Sequence, residues 1–237
     1  MSRAPRLAVA LDVESRAAAI AAAEILRGQV DIAKVGLELF VSAGPSLVQE
    51  LVDAGWSVFL DLKLHDIPAT VAGAVRSIGG LGVELMTIHA GGGREMMEAA
   101  VAARGGDGMP LLLGVTVLTS LDGAQLEEVG VRGGTEQGVA RLAGLAHSAG
   151  CDGVVSSPHE VAAIKAAHGD NFLAVSPGIR PGGAASNDQA RVATPADAVR
   201  AGADVLVVGR PIMKADDPAA VAAAIRKEME DAHGRKR

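Results

Sequence analysis

The sequence is poor in aromatic residues and in cysteine, and both shortages limit what the protein can be. Its 237 residues include no tyrosine, one tryptophan, three phenylalanines and one cysteine. Nucleic-acid binders usually present a basic face and often stack bases on aromatic rings. A net charge of -6 and 2% aromatic residues therefore argue against nucleic-acid binding. The lone Cys151 excludes an internal disulfide and a cysteine-rich zinc site, and it suits a reducing cytoplasm.

Long hydrophobic runs are also absent. No apolar run approaches the roughly 18 residues that a membrane span needs. The N-terminal segment MSRAPRLAVALDVESR has too short an apolar core for a signal peptide. Hydrophobic residues make up 49% and charged residues 21%, a composition typical of globular proteins. We therefore expect a cytoplasmic protein that does not enter a membrane.

Short apolar runs, each followed by an alanine-rich amphipathic stretch, recur along the whole chain. Continuous apolar strands that alternate with helices indicate parallel pairing with both faces covered. Repeated in a chain of this length, the pattern favours a (β/α)8 TIM barrel that occupies residues 1–237 as a single domain. A doubly wound sheet is disfavoured because its glycine fingerprint is missing after the first strand. The runs are LAVALD (7–12), DIAKVG (31–36), SVFLDLK (57–63), ELMTIHA (84–90), LLLGVTVL (111–118), DGVVSS (152–157), FLAVSPG (172–178) and DVLVVG (204–209).

One long stretch fits neither strand nor helix. Gly, Pro, Ser and Asn dominate SPGIRPGGAASNDQARVATP, about 176–195, which predicts a loop. Long loops in compact domains often act as lids. Arg180, Gln189 and Arg191 favour ligand contact over the alternative, a disordered insertion. The basic tail HGRKR (233–237) is expected to be a solvated end.

Charged residues interrupt two of the apolar runs. In SVFLDLK, strand alternation places Asp61 and Lys63 on one face, opposite Leu60 and Leu62. Lys34 lies within DIAKVG in the same way. A strand interior has no structural need for lysine, so these positions indicate either a structural ion-pair network or a site of chemistry.

Two more carboxylates belong near the same rim. Asp12 ends the first strand, and Asp66 follows the third strand just before a helix. Either aspartate could instead cap the helix that follows it. Since barrel enzymes assemble their active sites at the carboxyl ends of the strands, we expect all these charges to converge there. Lys63, between Asp61 and Asp66, would compete with a cation, so no metal is expected.

The last strand ends in a second candidate motif, VLVVGRPI. Barrels often bind phosphate through the loops after strands 7 and 8. Glycine lets a ligand approach the backbone closely, and arginine offers a bidentate fork to phosphate oxygens. Gly209 and Arg210, together with Gln189 in the preceding loop, therefore favour a phosphate site over a plain surface position for Arg210.

Motifs from the first strand to the last resemble one family. They are ALD (10–12), KVGLELF (34–40), DLKLHDIPAT (61–70), VTVLTS (115–120), SPGIRP (176–181) and VVGRPI (207–212). In this order they resemble bacterial orotidine 5′-phosphate decarboxylases, although DxKxxD alone is shared with sugar-phosphate lyases of the same superfamily. The resemblance implies removal of CO2 from orotidine 5′-phosphate to give uridine 5′-phosphate, in pyrimidine biosynthesis, with no metal or organic cofactor.

The resemblance also implies a role for each site residue. Lys34, Asp61, Lys63 and Asp66 would form an alternating charge network in which Lys63 protonates the carbon that loses CO2. The protein would be a homodimer in which Asp66 and Thr70 are contributed across the interface. The substrate-binding residues would be Asp12 and Lys34 at the ribose, Thr119 or Ser120 at the pyrimidine, Arg180, Gln189, Gly209 and Arg210 at the phosphate, and also Asp61, Ile67, Thr70 and Pro177.

Two alternatives stay open on sequence grounds. One is a magnesium-dependent sugar-phosphate aldolase or decarboxylase on the same barrel, which EDTA would inactivate. The other is a non-catalytic nucleotide-binding barrel. The intact set of Lys34, Asp61, Lys63 and Asp66 argues against a pure binder, because binding alone does not require such a network.

Overall fold

The strands form a closed parallel barrel. The computed structural model describes residues 4–106, 108–181 and 193–234. Each strand pairs in parallel with the next, and the last pairs with the first, so the predicted (β/α)8 barrel is confirmed. The strands are β1 (Arg6–Ala10), β2 (Ile32–Gly36), β3 (Ser57–Leu64), β4 (Leu85–His89), β5 (Leu111–Val115), β6 (Gly153–Val155), β7 (Leu173–Ser176) and β8 (Val205–Val208).

Helices follow the strands and cover the outside of the barrel. None of the helices in the described residues combines the length and the apolar character that crossing a bilayer requires. The helices are α1 (Arg16–Leu26), α2 (Leu37–Ala43), α3 (Pro45–Asp53), α4 (Pro68–Gly79), α5 (Arg94–Ala102), α6 (Gly123–Glu128), α7 (Gly134–Ser148), α8 (Pro158–His168), α9 (Pro195–Ala201), α10 (Arg210–Met213) and α11 (Pro218–Gly234).

Three connections contain a helix more than the sequence pattern predicts. After β2 the chain forms α2 directly, and only then the predicted helix, α3. After β5 the short α6 precedes the predicted α7, and a capping box between Asp122 and Gln125 closes its N-terminus. After β8 the four-residue α10 precedes the predicted α11. The predicted loop at 176–195 is only partly described, because residues 182–192 lie outside the described residues. The single-domain assignment therefore stays a prediction.

The apolar side chains form two separate layers. The larger layer packs the outward faces of the strands against the helices. The smaller layer fills the barrel itself with residues such as Ile32, Phe59 and Leu113. Successive residues of a strand point to opposite faces, which is why the inner layer contains alternate residues of a strand, such as Ala8 and Ala10. The inner layer lies directly below the charged residues at the carboxyl ends of the strands.

At the amino ends of the strands, aspartates tie neighbouring strands together. Asp31, Asp152 and Asp204 each directly precede an even-numbered strand. Each accepts a hydrogen bond from a backbone N–H of the preceding odd-numbered strand and pairs with a basic side chain. The bonds come from Leu7, Leu112 and Ala174, at 2.7–2.8 Å, and the basic partners are Arg226, Arg104 and Lys165 respectively.

Candidate active site

A cavity of about 540 Å³ opens at the carboxyl ends of the strands. Phe59 and Val207 of the inner apolar layer contribute to its lining. Charged side chains from β2 and β3 stand beside them on one side, and the chain after β7 and β8 lines another part. The cavity thus has a small apolar surface, a charged group and a separate basic part. This arrangement suits an anionic ligand that also has an apolar part.

Lys34 is buried inside the barrel, with 8% of its surface exposed. Strand pairing places it between Ala10 of β1 and Phe59 of β3. Its ammonium nitrogen lies 3.5 Å from Oδ2 of Asp61 and 3.7 Å from Oδ1 of Asp12. A buried ammonium group is tolerated only beside such partners. The carboxylates therefore fix the Lys34 side chain in place.

Asp61 is the centre of the charged group. Its Oδ2 accepts a hydrogen bond from Nζ of Lys63 at 2.8 Å, and its Oδ1 accepts one from the hydroxyl of Thr87 at 2.9 Å. Burial alone would raise the pKa of this carboxyl. The positive charges of Lys34 and Lys63 and the two hydrogen bonds outweigh burial and hold the pKa below its usual value. Asp61 is consequently ionised at neutral pH.

Lys63 reaches this group through an irregular backbone. The register between β3 and β4 shifts between Leu60 and Leu64, and Lys63 has a φ of 51°. Its backbone N–H donates to the hydroxyl of Thr87 at 2.9 Å, while its side chain stays 37% exposed. Leu62 and Leu64 still pack toward the helices, as alternation predicts. The bulge thus directs the ammonium group of Lys63 to Asp61 at the edge of the cavity.

Two histidines lie beside the charged group. The rings of His65 and His89 are 5.3 Å apart between centroids. Burial, together with the nearby His65 and Lys63, lowers the pKa of His89 and outweighs the opposite effect of Asp61. His89 is therefore neutral at physiological pH and does not add to the positive charge near Lys63. The sequence predicted a catalytic role for neither histidine.

The chain after β7 and β8 forms the basic part of the cavity. Pro177, Arg180, Gly209 and Arg210 all line it. Arg180 is buried, and its guanidinium donates to the carbonyl of Ile179 at 2.9 Å. Gly209 packs so closely that an added Cβ would lie 3.3 Å from both Ala10 and Asp12. A side chain at position 209 would therefore crowd the cavity wall formed by Ala10 and Asp12.

The two candidates for the pyrimidine contact, Thr119 and Ser120, differ in their position relative to the cavity. Thr119 lines the cavity, whereas Ser120 is exposed and is not one of the described lining residues. Both lie in a turn after β5, which ends at Val115 and not at residue 118, where the apolar run of the sequence ends. This geometry favours Thr119 as the residue nearer to a ligand, while the contact itself stays a prediction.

Several predicted site residues lie away from the cavity of their own chain. Asp66, Ile67 and Thr70 are exposed and are not found among its described lining residues. Asp66 accepts a hydrogen bond from the backbone N–H of Ile67 at 2.6 Å. Within the described part of the chain, Lys63 pairs with Asp61 and not with Asp66. Gln189 lies outside the described residues. The structure thus brings together Lys34, Asp61, Lys63 and Asp12 of the predicted group.

Sequence reasoning missed Thr87, Ser156 and Lys214. Thr87 is the hydroxyl residue of the buried run LMTIH, and its polarity in that run could have identified it. Ser156 lines the cavity, and its buried hydroxyl has no hydrogen-bond partner in the described part of the chain. Lys214 also lines the cavity. It follows the GRPI motif, but nothing in its sequence context distinguishes it from a surface lysine.

No group of three or more histidine, cysteine, aspartate or glutamate side chains in the described ranges is arranged to hold a metal ion. The acidic residues of the site are instead matched with lysines. Lys34 lies within 4 Å of both Asp12 and Asp61, and Lys63 bonds to Asp61. The site therefore presents fixed ammonium groups to a ligand.

Comparison with known proteins identifies the chain's relatives. The model of the orotidine 5′-phosphate decarboxylase / HUMPS family matches residues 5–225. The chain is 56% identical over 225 residues to an orotidine 5′-phosphate decarboxylase of Anaeromyxobacter sp. strain K, covering 95% of this chain and 98% of the relative. It is also 56% identical over 226 residues to that of Halorhodospira halophila, covering 95% of this chain and 96% of the relative.

Solved structures give the same result. The crystal structure of orotidine 5′-phosphate decarboxylase from Lactobacillus acidophilus superimposes with a TM-score of 0.82 at 38% identity, covering 96% of this chain and 99% of that one. The enzyme from Pyrococcus horikoshii OT3 gives a TM-score of 0.77 at 26% identity, covering 94% and 99%. The family match spans both the charged group and the basic part of the cavity. The chain belongs to the orotidine 5′-phosphate decarboxylase / HUMPS family.

Proposed function

We propose that this chain is a carboxy-lyase that converts orotidine 5′-phosphate to uridine 5′-phosphate and CO2, a step of pyrimidine biosynthesis. The relatives that match it over nearly their whole length at 56% identity carry the name of this activity. The observation that carries the proposal is the paired group of Lys34, Asp61 and Lys63 at the edge of the cavity. Its fixed charges suit a reaction in which a carbanion develops.

Lys63 is proposed as the proton donor. The bond between the pyrimidine ring carbon and its carboxylate breaks, and the electron pair stays on the ring carbon. A fixed ammonium group stabilises this negative charge as it develops. It then delivers a proton to the same carbon, a general-acid step. Asp61, 2.8 Å from the ammonium nitrogen, keeps that group in place for both steps.

The other end of the substrate would occupy the basic part of the cavity. Arg210 and the backbone at Gly209 would hold the phosphate, with Arg180 and Gln189 on the preceding chain segment. Asp12 and Lys34 would bind the ribose hydroxyls, and Pro177 and either Thr119 or Ser120 would lie at the pyrimidine. Because the phosphate is remote from the reacting bond, its binding energy can align the substrate.

We also infer that two chains form a homodimer and that each completes the other's site. Asp66, Ile67 and Thr70 are exposed on their own chain, with Ile67 65% exposed. Asp66 has no ion-pair partner among the described residues, and an exposed apolar side chain beside such a carboxylate suits a position that a partner covers. The cytoplasmic location stays a prediction that no structural feature tests.

The test is ultraviolet absorbance of orotidine 5′-phosphate mixed with purified protein in EDTA. We expect conversion to the spectrum of uridine 5′-phosphate. Lys63→Ala should lower the rate by about 10²-fold or more, since it removes both the charge and the proton donor. Lys227→Ala, an exposed lysine of α11, is the matched control and should keep full activity.

Two outcomes would contradict the proposal. Substantial activity in folded Lys63→Ala protein would remove Lys63 as the proton donor. A wild-type protein that leaves orotidine 5′-phosphate unchanged but acts on a pentose or hexose phosphate with magnesium would favour the sugar-phosphate alternative. Circular dichroism of each variant separates loss of chemistry from loss of fold.

A further inference from the structure

Lys214 lies on the wall of the cavity, one helical turn beyond Arg210. Its backbone N–H donates to the carbonyl of Arg210 at 3.0 Å, at the end of the short helix α10. Residues four apart on a helix are neighbours on the same side, about 6 Å apart along the axis. Both residues line the cavity. Two basic residues therefore lie at the same end of it.

The ammonium group of Lys214 has no acidic partner in the described part of the chain. The other cavity lysines, Lys34 and Lys63, both lie within 4 Å of Asp61. Asp217 is close to Lys214 in sequence, but its carboxylate caps α11 by accepting from the N–H of Ala220 at 3.0 Å. An exposed cation that lines a cavity without a carboxylate beside it is available to an anionic ligand.

We propose that Lys214 is a further substrate-binding residue, whose ammonium group attracts and holds the phosphate of the nucleotide alongside Arg210. The inference rests on the proposed function, which places the phosphate at this end. The chain has a net charge of -6, so a dianion must be drawn in by local cations. A flexible, exposed lysine is a point charge rather than a rigid fork. It therefore acts on association and affinity and not on the chemical step.

Lys214→Gln, with Lys227→Gln as the matched control, tests the proposal. We expect Lys214→Gln to lower kcat/KM for orotidine 5′-phosphate by about twofold to fivefold at low salt, the range for one exposed ion pair. The loss should lie in KM, with kcat unchanged. It should shrink toward about 1 M salt, where the screening length falls to about 3 Å. Lys214→Arg, which keeps the charge, should restore the wild-type value.

Product inhibition gives a readout that a structural role would not produce. Lys214→Gln should weaken inhibition by uridine 5′-phosphate but leave inhibition by uridine, which lacks the phosphate, unchanged. Equal weakening of both inhibitors, a fall in kcat, or values matching Lys227→Gln throughout would each overturn the proposal. Failure of the wild-type protein to decarboxylate orotidine 5′-phosphate would instead overturn the proposed function on which it rests.

Discussion

Lys63, the proposed proton donor, has a backbone conformation that residues with a side chain normally avoid. With a φ of 51°, Lys63 is the single non-glycine residue, among those the structure describes, whose backbone lies in the left-handed region. That conformation costs about 1–2 kcal/mol for a residue with a Cβ. Two hydrogen bonds oppose the cost, one from its N–H to Thr87 and one from its ammonium group to Asp61. Strain of this kind persists only where the surroundings hold it.

Lys63→Gly and Lys63→Ala separate the strain from the chemistry. Both variants remove the ammonium group, so both should lose decarboxylase activity. Glycine adopts positive φ without a steric cost, so Lys63→Gly should be more stable than Lys63→Ala by about 1 kcal/mol. Urea unfolding of both variants measures the difference. Equal stability would show that the backbone at this position is relaxed.

At the residue scale, the charged residues of the site could be predicted from the sequence, but the backbone geometry of the site could not. Lys34 and Asp61 were predictable because a charged side chain in an apolar strand is costly unless it is paired or used. The left-handed backbone of Lys63 was not predictable, because it lies at the register shift between β3 and β4, and strand register depends on tertiary pairing. The exposed position of Asp66 within its own chain agrees with the predicted contribution across an interface, which stays a prediction.

At the level of elements, the aspartates before β2, β6 and β8 connect strand pairs at the end of the barrel opposite the cavity. Asp204 is the most enclosed example, since the side chains of Lys165 and Asp204 are only 10% and 15% exposed. Lys165 also donates to the carbonyls of Asp170 and Phe172. Removing the carboxylate would leave the buried ammonium group with its two carbonyl acceptors but without its counter-charge. The N–H of Ala174 would lose its acceptor.

Asp204→Ala should therefore lower the free energy of unfolding by about 3–5 kcal/mol, the cost of breaking a buried pair by removing one partner. Glu98→Ala is the control, because the Glu98–Arg94 pair lies 3.7 Å apart on the exposed face of α5. It should change stability far less, since water screens exposed pairs. Chemical denaturation of both variants checks the prediction, and similar losses in the two would refute it.

The strands were easier to predict than the helices. Each apolar run became a strand because buried parallel strands need continuous apolar sequence. The unpredicted helices α2, α6 and α10 have seven, six and four residues, too few to show helical periodicity. For α6, the capping box of Asp122 and Gln125 could have indicated a helix start. For α2, the chain turns into a helix straight after Gly36, with no side-chain cap hydrogen bond.

At the scale of the whole molecule, one chain supplies an incomplete set of the predicted site residues. Its cavity holds Lys34, Asp61 and Lys63, while Asp66 and Thr70 lie exposed outside it. A symmetric dimer gives each chain's residues the same surroundings. If the turn at Asp66 enters the partner's cavity, two complete sites form for each pair of chains.

Mixing two inactive variants tests this arrangement. Lys63→Ala and Asp66→Asn protein should each be nearly inactive alone. After unfolding and refolding together, the mixture should recover about a quarter of wild-type activity, because about half of the dimers are mixed and each has one intact site. The control mixes Lys63→Ala with Asp61→Asn, whose defects lie in the same chain's cavity, and should stay inactive. No recovery in the test mixture would place Asp66 outside its neighbour's site.

The hydrogen bonds between β1 and β8 have a consequence for the protein's synthesis. Arg6 of β1 pairs with Val205 of β8, about 200 residues later in the chain. At about 5–20 residues per second, a ribosome needs roughly 10–40 s to make the intervening segment. Throughout that time the first strand has one unpaired edge. The nascent chain thus depends on its surroundings to protect this edge until translation reaches the final strand.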